Sequence, residues 1–185
     1  LKWMQTVAEG QASGLSPLDQ GRLMFNWARR TINGLSYEVE VTRSGSAYDP
    51  GIGFIRRSDI TYINPNVGYQ RFMAEDSPLR RIWIGNWGNV YLRNRDGSVG
   101  SAYIHPCYWF ELKNGATVLL STDHFYEDVR STFALSETAE VPAGSYWFHE
   151  AWLQATPPDG WPFRPNVTFR SGSFYDGWKT TVSLG

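Results

Sequence analysis

Residues 23–41 read LMFNWARRTINGLSYEVEV, two alternating runs on either side of an Asn-Gly turn. After Asn33-Gly34, the residues Leu35, Tyr37, Val39 and Val41 alternate with Ser36, Glu38, Glu40 and Thr42. Before it, Leu23, Phe25 and Trp27 alternate with Met24, Asn26 and Ala28. A period of two puts alternate side chains on opposite faces of a strand, and Asn-Gly between two such runs signals a hairpin. A two-residue loop at Asn33-Gly34 would set Val39 against Ala28 and Trp27 against Glu40, apolar against polar. A three-residue loop, Ile32-Asn33-Gly34, with Gly34 left-handed in a bulge, sets Tyr37 against Arg29, Val39 against Trp27 and Val41 against Phe25. It also puts Glu40 with Asn26, Glu38 with Ala28 and Arg30 diagonal to Glu38. A slip of one residue would turn the apolar set to the wrong face, so the three-residue loop is the expected one.

Lys113-Asn114-Gly115 repeats the test. A three-residue loop pairs Phe110 with Val118 and Tyr108 with Leu120. On the other face it pairs Glu111 with Thr117, Trp109 with Leu119, Cys107 with Ser121 and His105 with Asp123. Two hairpins thus ask for the same bulged register.

Outward from these hairpins, strands are expected over 59–73 (interrupted by Pro65 and Gly68), 80–93, 101–112, 145–155, 167–174 and 178–184. Residues 1–8 read as a strand whose partner precedes them, and 127–144 as a long loop. Ser16-Pro17-Leu18-Asp19 resembles a helix start, but Leu23, Phe25 and Trp27 are spaced for a strand. The fold class is all-β: one domain over 1–185, an antiparallel up-and-down meander of about ten strands. Connections at 32–34, 74–78 and 113–115 are short, and those at 9–20, 44–57 and 127–144 are long. Outer-membrane barrels have this asymmetry, although 94–100 and 175–177 are short on the long-loop side and the proline-rich 156–165 is long on the other.

The 185 residues carry 17 basic and 18 acidic side chains with no block of one sign, which argues against nucleic acid as a partner. A single cysteine, Cys107, excludes an internal disulfide and a multi-cysteine metal cluster. No run approaches the roughly 20 apolar residues of a membrane helix. Nine Trp and ten Tyr suit a sugar-binding face or a membrane-interface girdle. The chain begins at Leu1 without a signal peptide, so it reads as a mature or excised piece.

Four phrases occur in order over residues 48–177: Tyr48-Asp49-Pro50-Gly51-Ile52-Gly53-Phe54 with Arg56-Arg57, Leu112-Lys113-Asn114-Gly115, Val141-Pro142-Ala143-Gly144-Ser145-Tyr146, and Gly172-Ser173-Phe174-Tyr175-Asp176-Gly177. The set resembles a poorly characterised bacterial outer-membrane β-barrel domain that often follows a family-nine carbohydrate-binding module. The resemblance implies a piece of a larger transmembrane barrel, lacking an amino-terminal module and later strands. The chain departs from such barrels at one point: they usually end on an aromatic residue and this one ends at Gly185, so either the chain continues or the barrel reading is wrong. A partner chain or later strands would complete the barrel.

The residues offer little catalytic chemistry. His149-Glu150 opens like a zinc-protease motif, which fails at Leu153, so no metal site is expected. His105 opposite Asp123 is an acid–imidazole pair without a serine to complete a triad. Glu38 and Glu40 are spaced like a glycosidase pair on one strand face, but solvated face charges read the same way. Asp49, Asp59, Asp96, Asp159 and Asp176 sit near turns, where aspartate serves local hydrogen bonds, without a calcium-loop signature. No catalytic or cofactor-binding residue is expected, and no enzyme activity. Arg30, Glu38, Glu40, His105, Glu111 and Asp123 are the polar residues expected to line a lumen. Trp83, Trp87, Tyr91 and Trp161 are the aromatic residues expected to stack on sugars or form a girdle.

The expected function is a bacterial outer-membrane barrel, or a piece of one, acting as a pore, uptake channel or scaffold linked to glycan handling. Its partners would be membrane lipid and an oligosaccharide. The alternative is a soluble periplasmic or secreted β-sandwich binding carbohydrate through an aromatic face; the mean hydropathy of −0.39 suits either.

Overall fold

The computed structural model describes residues 1–5, 15–50 and 57–185. The strands are β1 (Lys2–Gln5), β2 (Gly21–Arg29), β3 (Gly34–Ser44), β4 (Ile60–Phe72), β5 (Leu79–Arg93), β6 (Val99–Leu112), β7 (Thr117–Val129), β8 (Phe133–Ala134), β9 (Glu140–Val141), β10 (Gly144–Thr156), β11 (Val167–Phe174) and β12 (Gly177–Leu184). Ten of them form one antiparallel sheet in the order β1-β2-β3-β4-β5-β6-β7-β10-β11-β12, with β1 and β12 at its edges. The fold is an all-β meander, as the alternation required. Two expectations need correction. The partner of β1 is β2, which follows it, because Lys2 to Gln5 run antiparallel against Met24 to Gly21. The stretch 127–144 is not one loop: β7 continues to Val129, and β8 pairs with β9 in a separate small hairpin. The Ser16-Pro17-Leu18-Asp19 segment is a turn, closed by the Asp19 amide donating to the Ser16 carbonyl at 2.9 Å.

Both hairpins adopt the bulged register. Val39 pairs with Trp27 and Glu40 with Asn26; Phe110 pairs with Val118 and Glu111 with Thr117. Gly34 has φ +98° and Gly115 +83°. A left-handed backbone pushes Cβ against the following carbonyl, which only glycine avoids. A Cβ added at Gly34 would meet nothing within 4 Å, so Gly34→Ala isolates this backbone term. The expected loss is about 1–2 kcal/mol in reversible unfolding; no loss would mean that the turn relaxes.

On β3, β6, β7 and β10 one face is predominantly apolar and the other carries most of the charged residues. A row of Phe169, Leu153, Leu120, Tyr108 and Ile84 crosses β11, β10, β7, β6 and β5. All five are more than two-fifths exposed. The opposite face holds the most buried side chains of the described residues, His105, Asp123 and Cys107. Among the described residues no second sheet covers the apolar rows. The accessible surface, 12119 Å² for 21.1 kDa, exceeds the roughly 9,000 Å² of a compact monomer of that mass, as an unlayered sheet requires.

Side-chain contacts reveal the curvature. Strands in a sheet lie about 4.8 Å apart, so residues two strands away are separated by about 9.6 Å when the sheet is flat. On the polar face the rings of His105 on β6 and Trp152 on β10 are 5.4 Å apart, with β7 between them. Asp123 on β7 reaches Arg170 on β11, and Glu150 on β10 reaches Lys179 on β12. The ring pairs on the apolar face join adjacent strands, as in Trp27–Tyr37 and Tyr126–Trp147. The sheet therefore bends around its polar face, which is the concave one.

The short-turn end is laced together. Gln70 donates to the Ile32 carbonyl, Lys113 to the Ala74 carbonyl at 3.1 Å, and the Asp159 amide to the Asn114 carbonyl at 2.9 Å. At the other end Asp96 accepts from the Ser98 amide at 3.0 Å, from the Ser98 hydroxyl and from Arg130 at 2.7 Å. The Ser98 hydroxyl first, then Arg130, hold its carboxyl well below the usual 3.8. A depressed folded value means that this clasp contributes stability above pH 3.8 and loses it as pH falls further. We expect the Asp96 carboxyl, followed by NMR, to titrate below its ordinary value in wild type and to move only part of the way back in Arg130→Ala, since both Ser98 donors remain; an ordinary midpoint in wild type contradicts the clasp.

Candidate functional site on the concave face

The concave face is polar because the even positions of β3 and the odd positions of β6 and β7 carry its charges. At its centre Asp123 is fully buried. One carboxylate oxygen meets His105 Nδ1 and accepts from the Tyr103 hydroxyl at 3.1 Å; the other accepts from Arg170. A buried carboxylate needs this much: charge compensation, and donors for its lone pairs. Glu150, 5% exposed, lies opposite Asp123 on β10. It pairs with Lys179 and stands 3.5 Å from Arg170 Nε, a charge contact without hydrogen-bond geometry. The two carboxylates are thus matched by two cations, Arg170 and Lys179, contributed by β11 and β12.

Aromatic rings wall this network. Trp87 stacks on His105 at 5.3 Å with 3° between the planes, and the Arg170 guanidinium lies 4.6 Å from the centre of the Trp152 ring. Tyr103 stacks on Phe125 at 4.7 Å. A recess of about 470 Å³ opens above them, with Arg57, Tyr91, Glu127 and Lys179 on its walls. A second recess, about 320 Å³, is lined by Trp83, Trp87 and Trp109 together with Glu38, Asn66 and Gln70. Flat rings beside carboxylate and amide groups can hold a ring that is apolar on its faces and hydroxylated at its edge.

The residues singled out from sequence are spread over several places. His105 and Asp123 form the buried centre. Glu38 and Glu40 share the concave face of β3, where Asn26 donates to Glu38 at 2.8 Å and Thr42 to Glu40 at 3.1 Å. Arg30 lies just beyond β2, well exposed, and approaches Glu38 at 3.5 Å. Glu111 is held near the short-turn end by Arg81 and, at 3.1 Å, by Arg80. Trp83 and Trp87 are 5.1 Å apart on the concave face, and Tyr91 carries Arg57 on its ring at 4.4 Å. Trp161 lies outside the sheet, exposed in the proline-rich connection. Tyr103, Glu150, Trp152, Arg170 and Lys179 were not singled out. The alternation of β10 and β11 puts Glu150, Trp152 and Arg170 on the polar face, but their meeting with Asp123 depends on the β7–β10 register.

Of the four phrases behind the family resemblance, the first falls largely in 51–56, outside the described residues. The second is the β6–β7 hairpin, the third leads into β10, and the fourth is the β11–β12 turn, where Tyr175 has φ +50°. There the Tyr175 hydroxyl donates to Glu127 at 3.0 Å; burial, then that carboxylate, push it up to about 12. No family model, curated protein or solved structure matches the chain.

Proposed function

We propose that this chain forms part of a bacterial outer-membrane β-barrel whose concave polar face lines an aqueous lumen, serving as a pore, uptake channel or scaffold for glycan handling. The observation that carries the reading is the inverted burial. The side chains buried deepest are an aspartate, a histidine and a cysteine, while Leu120, Leu153, Ile84 and Phe169 stand uncovered on the convex face. In water such an apolar surface calls for a partner; in a barrel its partner is lipid. The longer strands support the reading, since β3 to β7 and β10 have 11 to 15 residues and a tilted spanning strand needs about 9–11. The ordered phrases of the sequence point to the same family of barrels. On this reading lipid is one partner, and further strands at the β1 or β12 edge are another.

Flotation with lipid vesicles tests it. The protein should require detergent for extraction and should float with vesicles after an alkaline wash. A monodisperse, detergent-free protein that stays at the bottom of the gradient contradicts the reading.

The glycan part rests on the recess where Trp83 and Trp87, two of the residues expected to stack on sugars, are joined on the concave side by Trp109. Neutral oligosaccharides should quench tryptophan fluorescence, and Trp87→Ala should weaken that response at least tenfold. Quenching that survives Trp87→Ala would assign it to another surface.

A further inference from the structure

His124 and His149 are cross-strand partners on β7 and β10, on the convex face and away from the network just described. Their Nδ1 atoms face each other at 2.7 Å, and the rings cross at 65°. Thr122 Oγ1 lies 3.1 Å from the Nε2 of His124. When that Nε2 carries its proton and donates to Thr122, the Nδ1 lone pair of His124 points at His149. His149 is fixed by its strand, whose amide there donates to Ser173 Oγ at 2.9 Å. Toward one end of the strands the next convex row is Tyr126 with Trp147; toward the other are Thr122 with Ala151 and then Leu120 with Leu153. The pair therefore sits where the aliphatic rows give way to aromatic ones, the position of a water interface in the proposed barrel.

We propose that His124 and His149 form a copper(II) site that ties β7 to β10. Two imidazole nitrogens at about 2.0–2.1 Å from one ion are about 2.9 Å apart when they subtend 90°, and about 3.3 Å apart at a tetrahedral angle. The observed 2.7 Å is an N–H···N hydrogen-bond length, so the two rings must turn until both lone pairs converge on the ion. The spacing of about 2.9 Å at a tetragonal ion asks for less separation of the strands than the tetrahedral angle does. Among divalent first-row ions, copper(II) combines that geometry with the highest affinity for nitrogen ligands. Binding replaces the N–H···N hydrogen bond: the proton leaves Nδ1 of one ring, that ring takes a proton on Nε2 from solvent, and both imidazoles stay neutral. Water completes the coordination. Thr122 positions His124 by fixing its tautomer, as outer partners of metal-bound histidines do. The third histidine is 1% exposed and engaged by Asp123, so it does not compete. The site requires only the β7–β10 register, whether or not the face meets lipid.

The test is copper(II) titration of the purified protein followed by electron paramagnetic resonance, with competition against a chelator for affinity. One equivalent should give an axial spectrum with coupling to two imidazole nitrogens. His124→Asn and His149→Asn should each weaken binding at least tenfold and lose that two-nitrogen signature, with circular dichroism unchanged. Thr122→Val, which keeps both ligands, should weaken binding by about tenfold, at the lower end for a lost outer partner. Zinc(II) should bind more weakly than copper(II). Absence of stoichiometric binding, or a spectrum indifferent to both histidine substitutions, overturns the site.

Discussion

Asp123→Ala should cost about 3–5 kcal/mol in stability, because it removes one side of a buried charge network and leaves the rest of it in place. The carboxylate is fully buried and is contacted by His105, Tyr103 and Arg170. Without it the Arg170 guanidinium keeps the longer contact to Glu150 and its place over the Trp152 ring, and His105 Nδ1 and the Tyr103 hydroxyl lose their shared acceptor. Asp123→Asn retains an acceptor of the same shape and should lose less. Denaturant unfolding in detergent or vesicles measures both. Equal and small losses would mean that the network is solvated and that the concave face is not tightly gathered around Asp123.

The second large effect is on the opposite face of the same strand. Leu120→Arg should lower stability in a bilayer by about 2–4 kcal/mol, the cost of a cation placed on the lipid face near the midplane. In water the same change on an exposed leucine would be close to neutral. Ser121→Arg, one residue along, points into the crowded concave face, where any loss is steric and independent of lipid. Comparing vesicles with detergent separates the two causes. A Leu120→Arg loss that does not depend on lipid would assign the convex face to another partner.

The sequence was informative wherever a relation was local. The Leu23–Val41 and Lys113 hairpins could be solved because a three-residue loop fixes the register, and the register fixes the face of every residue on both strands. Those faces held: Val39 stands by Trp27, and His105 opposite Asp123. Relations across long connections were not legible. The 14 residues between Val129 and Gly144 carry their own hairpin and set no register between β7 and β10. For that reason Glu150 and Arg170 could not be joined to Asp123, nor His124 to His149, from spacing alone. The direction of bending was hidden for a related reason. Alternation separates two faces but does not say which is concave; contacts that skip a strand do.

The most direct measurement of the central claim is site-directed labelling along β7 in lipid vesicles, with single cysteines at consecutive positions from Val118 to Thr122. Cys107 is 0% exposed and stays in place as an unreactive residue. Spin labels at positions 118, 120 and 122 should be relaxed by oxygen dissolved in the bilayer, while those at 119 and 121 should be relaxed by a water-soluble agent or be shielded. A profile in which position 120 is reached from water as readily as an exposed loop residue would contradict the assignment of the apolar face to lipid.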